Sequence, residues 1–246
     1  MTVTLSRTTL DVLKNYATIN SSIVFRKGNK LRTISNAENI LSQFTSEEVF
    51  PTDFAIYDLS QFLSGISLFD NPRLDFTSDD FVRIAGAGRS VKYYFSDPEI
   101  TLKSAPEKNV NFPGADIQFN LTSDDLIALQ KASAVYSLPD MSFQSKNGKV
   151  RLLLWDKEND TSNTYKQDIV GECTGDYSLD LKIENIRLLP GDYNVKVSNA
   201  LISEWNNTTL DLTYYIALEP CPTIQELFRY LLPLRNKTFC KFLMSW

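Results

Sequence analysis

The glycine-bearing run Gly86-Ala-Gly88-Arg-Ser90 is the first candidate for chemistry, because closely spaced glycines let backbone amides approach a phosphate. It lacks the Gly-Lys-Ser/Thr ending of a phosphate loop. The residues that follow, Val91-Lys-Tyr-Tyr-Phe95, alternate like a strand rather than opening a helix, so a hairpin turn is the favoured reading. The acidic pairs Glu47-Glu48 and Asp79-Asp80 are candidates for metal binding or acid–base work. Neither has a partner cluster, and solvated loop charge is expected at both. The chain contains no histidine, which removes the commonest general base and metal ligand. Its three cysteines, Cys173, Cys221 and Cys240, form no CxxC pair, so neither a zinc site nor a disulfide framework is expected. The reading is therefore of a protein with no catalytic residues, no metal and no cofactor. An enzyme using carboxylates such as Asp58 or Asp79 is a rival that would need a deep pocket with converging acids.

What remains is electrostatic. Arg7 and Lys14 are seven residues apart, and so share one face of a predicted helix, with Asp11 between them. Lys131 falls on a third predicted helix, and Lys182 and Arg187 on a fourth. Taken singly, each is an ordinary solvated charge. On one common surface they would converge and follow a phosphate backbone without reading sequence. The chain is acidic, with a net charge of −5, so any nucleic-acid role rests on where these few cations sit.

The elements that would position them follow a repeating pattern. The first helix starts after Ser6, a good N-cap, with Leu10, Leu13 and Ala17 as its apolar face. A matching helix starts after Thr122, with Asp125 three residues on as a capping-box variant and Asp124-Asp125 suiting the helix dipole. Leu5-Ser6 aligns with Leu121-Thr122, Leu10 with Leu126 and Leu13 with Leu129, all at an offset of 116. The second helix of each half is expected at Asp58–Phe69 and at Lys182–Leu189, the latter stopped by Pro190-Gly191. Strand-like runs separated by turns such as Lys146-Asn147-Gly148 fill the rest, and Asp97–Gln118, with Pro98, Pro106, Pro113 and Gly114, reads as a connector. The fold class is α+β: two similar β-rich domains, 1–110 and 111–220, each with two helices laid on a sheet. A hydrophobic content of 43% is ample for two cores. No signal peptide is read at the N-terminus, and no apolar run reaches the roughly 18–20 residues needed to span a bilayer, so a soluble intracellular protein is expected.

Several segments resemble one family. Asp11-Val-Leu-Lys-Asn-Tyr-Ala-Thr-Ile-Asn-Ser-Ser-Ile23 is similar to the first helix and following strand of T-even phage sliding clamps, and Phe54-Ala-Ile-Tyr-Asp-Leu-Ser-Gln-Phe-Leu-Ser-Gly-Ile-Ser-Leu68 to their second helix. Pro190-Gly-Asp-Tyr-Asn-Val-Lys196 and Tyr214-Tyr-Ile-Ala-Leu-Glu219 resemble their late strands. The resemblance implies the DNA clamp fold, a homotrimer closed into a ring around double-stranded DNA, and a DNA polymerase processivity factor with no activity of its own. It also implies a clamp loader, capture of the replicative polymerase's C-terminal peptide, assistance to late transcription, and action in the cytoplasm of the infected bacterial host. By position, Arg7, Lys14, Lys131, Lys182 and Arg187 would face the DNA. A partner groove is expected near the connector, around Leu102, Val110, Phe112, Ile216 and Leu218. The rival from another class is a virion structural protein of tandem β-rich domains.

Past Glu219 the resemblance ends. Residues 221–246 form an atypical tail with Arg229, Arg235, Lys237 and Lys241 against Glu226, leaving the body at −8 and the tail at +3. Gln225, Leu227 and Phe228 in it faintly echo clamp-binding peptides, although an added extension with no such role is the reading favoured.

Overall fold

The computed structural model describes residues 1–97, 103–108 and 110–219; the expected tail, 221–246, lies outside them. In the first half, β1 (Thr2–Val3) leads into α1 (Arg7–Ile19), followed by β2 (Ile23–Phe25), β3 (Gly28–Ile34), β4 (Ile40–Phe50) and β5 (Phe54–Ile56). Then come α2 (Leu59–Ser67), β6 (Arg73–Asp75), β7 (Phe81–Gly86) and β8 (Arg89–Tyr94). The second half repeats the opening with β9 (Ile117–Leu121) and α3 (Ser123–Tyr136). It continues through β10 (Asp140–Lys146), β11 (Lys149–Trp155), β12 (Tyr165–Ile169), β13 (Gly171–Cys173) and β14 (Tyr177–Lys182). A short 3-10 turn (Ile183–Asn185) precedes β15 (Tyr193–Ser198), β16 (Ile202–Asn207) and β17 (Leu212–Ala217).

The helix starts follow the capping chemistry. Ser6 accepts from the Thr9 amide at the head of α1, and Thr122 and Asp125 form a reciprocal capping box on α3. Asp58, the residue offered to a carboxylate enzyme, instead caps α2 by accepting from the Gln61 amide at 2.8 Å. The 116-residue offset holds at the caps, and Leu13 and Leu129 are both fully buried. The centre of the α1 core face differs from the expected one: Val12, Leu13 and Tyr16 are buried, while Leu10 and Ala17 are half-buried at its margin.

The fourth helix does not form. Lys182 ends strand β14, only Ile183–Asn185 turn as 3-10, and the chain runs irregularly to Pro190-Gly191. β14 pairs with β10 through Lys182↔Asp140, which holds this stretch in strand geometry up to the residue where a helix would have begun. The glycine run is a hairpin turn, as read: Ala87 and Gly88 both have positive φ between paired Gly86 and Arg89. The connector ends two residues earlier than its punctuation suggested, because Ile117 and Gln118 already pair in β9.

Strand order reveals the repeat more clearly than the helices. The first half has a sheet β1-β6-β7-β8, and the second has its counterpart β9-β15-β16-β17. The other sheet of the second half is β12-β11-β10-β14, matched in the first half by β4-β3 and the separate ladder β2-β5. The halves are joined by antiparallel pairing of β17 with β4, from Leu212↔Phe44 to Ile216↔Ile40, giving a seven-stranded sheet β13-β9-β15-β16-β17-β4-β3. The first-half core is an aromatic cluster around Phe25, Phe50, Phe54 and Phe62, and the second-half core centres on Phe119, Phe143 and Trp205.

A polar seam reinforces this junction. The buried Tyr214 hydroxyl donates to Asn15 Oδ1 at 2.7 Å and accepts from the Leu189 amide at 3.1 Å, linking α1 to the segment after the 3-10 turn. Tyr193 stacks edge-on against Tyr214 and donates to the Leu189 carbonyl at 2.5 Å; burial pushes its phenol up to about 12. Tyr214→Phe would leave the Leu189 amide and the Asn15 carbonyl oxygen short of a partner. It is expected to destabilise the chain by about 1–3 kcal/mol, read as a lower urea midpoint at unchanged slope and far-UV spectrum.

Candidate nucleic-acid interface

On α1 the helical period places Arg7, Asp11, Lys14 and Thr18 along one outward stripe, opposite Val12, Leu13 and Tyr16. Asp11 sits 3.0 Å from the Lys14 ammonium and 4.0 Å from the Arg7 guanidinium. The Arg7 side chain is 97% exposed, so solvent screens its pair and leaves the stripe with a net positive charge. The helix is held at its head by a residue first read as loop charge. Glu48 lies on β4 and accepts from the Ser6 amide and, at 2.6 Å, from the Thr9 hydroxyl. Burial opposes its charge, but those hydrogen bonds outweigh burial and hold the carboxyl below its usual range.

Alongside α1 runs α2, whose outer face is Ser60, Gln61, Ser64 and Ser67, polar but without cations. On the other side, residues 183–189 bridge to α3. Asn15 donates to the Arg187 carbonyl at 3.1 Å, the Arg187 guanidinium donates to the Thr18 carbonyl at 2.5 Å, and Gln130 of α3 donates to the Ile186 carbonyl at 3.4 Å. Lys131 is exposed beside Gln130 and has no ion-pair partner among the described residues. These hydrogen bonds join α1, the bridging segment and α3, the elements that carry Arg7, Lys14, Arg187 and Lys131. Arg187 reaches α1 through a carbonyl in its last turn, where a cation suits the helix dipole.

Lys182 does not join them. Its ammonium is 2.7 Å from Asp140 Oδ1, and Asp140 is fully buried. Lys157 approaches the same oxygen at 3.7 Å and also pairs with Glu219, whose amide donates to the Asp180 carbonyl at 2.7 Å. Asp180, itself buried, accepts from the Ser142 hydroxyl at 2.5 Å, and that hydroxyl accepts from the Trp155 indole at 2.8 Å. Burial pushes the Asp180 carboxyl above its ordinary range, with the Asp140 and Glu219 charges adding to it. Lys182 therefore shares with Lys157 the neutralisation of a buried carboxylate, and removing it would take away the nearer of the two cations.

The residues expected around a partner groove differ in their exposure. Ile216 is buried on β17, an inner strand between β16 and β4, and Leu218, directly after that strand, is buried too. Val110 and Phe112 are half-buried within the connector, and Leu102 lies outside the described residues. Within the described residues no three or more Cys, Asp or Glu are grouped to hold a metal ion, and no helix is long and apolar enough to cross a membrane.

Residues 5–92 match a family described as DNA polymerase processivity factor. The sliding clamp of Vibrio phage KVP40 is 34% identical over 223 residues, covering 87% of this chain and 98% of that protein. The sliding clamp of Enterobacteria phage T4 is 28% identical over 198 residues, covering 78% of this chain and 85% of its own. Among solved structures, the PCNA of Thermococcus kodakaraensis superposes with a TM-score of 0.67 at 13% identity, covering 89% of this chain and 99% of that one. The Proliferating Cellular Nuclear Antigen of Entamoeba histolytica does so at 0.63 and 15%, covering 86% and 94%. At such identities these two establish the fold alone.

The buried cluster around Asp180 has a pH signature. A carboxyl whose folded pKa is raised stabilises the fold below its unfolded value, and that contribution is lost as pH rises through the folded value. Asp180→Asn keeps an oxygen for Ser142 and cannot ionise. Its stability relative to the parent chain is expected to improve as pH increases from about 4 towards neutrality; urea midpoints for both proteins across that window would show it, and a constant difference would contradict it.

Proposed function

The chain belongs to the sliding-clamp family of DNA polymerase processivity factors, and on that premise we propose that three copies close head to tail into a ring around duplex DNA, with α1, α2 and α3 lining the bore. The carrying observation is a strand pairing made once inside the chain and left unmade once. β17, the last strand of the second half, pairs with β4 of the first. Their counterparts in the repeat, β8 and β12, each end a sheet with no further strand beside them among the described residues. Pairing β8 of one copy with β12 of the next would repeat the internal junction and bury both open edges. Exposed apolar groups mark both places: Val91 and Tyr94 on β8, and Val170, 96% exposed, directly after β12.

Within such a ring, Arg7, Lys14, Lys131 and Arg187 supply a sparse set of phosphate contacts and nothing that reads bases. Sparse contacts suit a protein retained by topology, since tight ones would oppose sliding. The acidic remainder of the chain disfavours DNA elsewhere on its surface. The protein tethers a polymerase and performs no bond chemistry itself. Its partners in this reading are double-stranded DNA, the C-terminal peptide of the replicative polymerase and a clamp loader, and it works in the cytoplasm of the infected bacterium. A role in late transcription rests on the family resemblance alone.

Loaded on nicked circular DNA, the protein is expected to stay bound through gel filtration and to be lost after a single cut linearises the circle; equal loss from both would refute encirclement. Replacing Arg7, Lys14 and Lys131 together by alanine is expected to slow loading several-fold at low salt while leaving the circle-against-linear difference intact. The double variant V91D/V170D places charge at both edges, and sedimentation at micromolar concentration is expected to show monomers with an unchanged far-UV spectrum. Persistence of the trimer would rule out the β8–β12 junction.

A further inference from the structure

The sheet β1-β6-β7-β8 turns one face to α2, where Gly65 passes over Ile84 and the rings of Phe62 and Tyr93 meet edge-on at 5.2 Å. Side chains alternate along a strand, so the opposite face carries Thr2, Asp75, Arg83 and Lys92, in register across the four strands. Arg73 lies to one side of that row, and the cross-strand pair Phe81 and Tyr94 lies to the other. Arg73, Arg83 and Lys92 are exposed, and none has an ion-pair partner among the described residues. Asp75, the carboxylate of the row, accepts from the Thr77 hydroxyl at 3.5 Å instead of pairing with Arg83. The Lys92 ammonium sits 4.7 Å from the centre of the Phe81 ring, and Phe81 packs against Tyr94 at 5.6 Å. Tyr94 is 64% exposed.

The repeat supplies a contrast. At the offset of 116, Thr2 corresponds to Gln118, and the matching row across β9, β15, β16 and β17 is Gln118, Lys196, Glu204 and Tyr215. There Lys196 meets Glu204 at 3.0 Å, and Tyr215 is buried. The second-half row is thus matched within the chain. The first-half row keeps its cations without a carboxylate partner beside an open aromatic pair, in a chain whose net charge is −5. Asp79 and Asp80, exposed before β7, border the aromatic end, so an anion is drawn to the side of Arg83 and Arg73. Unpaired bases offer ring faces to aromatic side chains and phosphates to adjacent cations, whereas a duplex keeps its bases stacked inside and offers phosphates alone. We propose that this face binds single-stranded DNA, with Tyr94 stacking on a base, Lys92 and Arg83 holding the adjoining phosphates, and Arg73 the next. The face points away from α2, so in the ring proposed above it lies outside the bore. It goes beyond the clamp reading and requires neither ring closure nor encirclement.

The test uses the full chain and a fluorescein-labelled oligothymidylate of about twelve nucleotides, followed by anisotropy at low salt. An abasic oligomer of the same length is the comparison probe, since it keeps the phosphates and removes the bases. Oligothymidylate is expected to bind about tenfold more tightly than the abasic oligomer. Y94A, at an exposed side chain, should bring the two to equal affinity, and R83Q/K92Q should weaken both about tenfold, with unchanged far-UV spectra. R7A/K14A/K131A should leave the oligothymidylate affinity as it is. Equal binding of the two oligomers by the parent chain, or no effect of Y94A, would overturn the proposal by leaving a general anion surface. Loss of binding in R7A/K14A/K131A would overturn it by placing the strand in the bore. So would displacement of oligothymidylate by polyglutamate at matched ionic strength with the same dependence on Arg83, Lys92 and Tyr94, since the face would then suit an acidic protein. The circle assay reads encirclement of duplex and this one reads a single strand on an outer face, so either can fail while the other stands.

Discussion

Backbone amides and carbonyls in a sheet must find partners, and the junction of β17 with β4 is where that requirement organises the whole chain. It merges strands from both halves into a single seven-stranded sheet and turns β17 into an inner strand. The tyrosine seam through Tyr193, Tyr214 and Asn15 lies beside it, so the two halves are tied by hydrogen bonds on the sheet and again beneath α1. Among the described residues, the repeat leaves β8 and β12 as the outermost strands of their sheets.

Charge in this molecule takes its meaning from what surrounds it. Glu48, Lys182 and Arg187 are all ordinary ionisable residues in the sequence. One caps a helix from a neighbouring strand, one shares in neutralising a buried aspartate, and one closes the end of α1 while staying exposed. Lys131, alone of the five candidate cations, stands on its helix without a polar contact among the described residues. The surface that remains is modestly positive, consistent with a protein that holds DNA by enclosing it and touches it lightly.

The sequence by itself determined whatever depends on neighbours along the chain. Ser6, Asp58 and Thr122 cap helices because their side chains reach amides three residues away, and the stripe of Arg7 and Lys14 follows from helical period alone. The hairpin at Ala87-Gly88 was legible for the same reason, as was the 116-residue echo between the two opening helices. Family resemblance in spaced segments supplied the clamp fold that local pattern could only narrow to α+β.

Tertiary structure decided what depends on residues far apart. Nothing near Lys182 in sequence reports that Asp140 waits across β10, so a cation counted for a helix became the last residue of a strand. Glu48 caps a helix that begins 42 residues earlier. Ile216 has the same apolar character whether exposed or buried, and its burial follows from the position of β17 between β16 and β4. Short-range hydrogen bonding can be read from spacing because its geometry is local; burial and charge pairing cannot, because they are properties of the assembled neighbourhood.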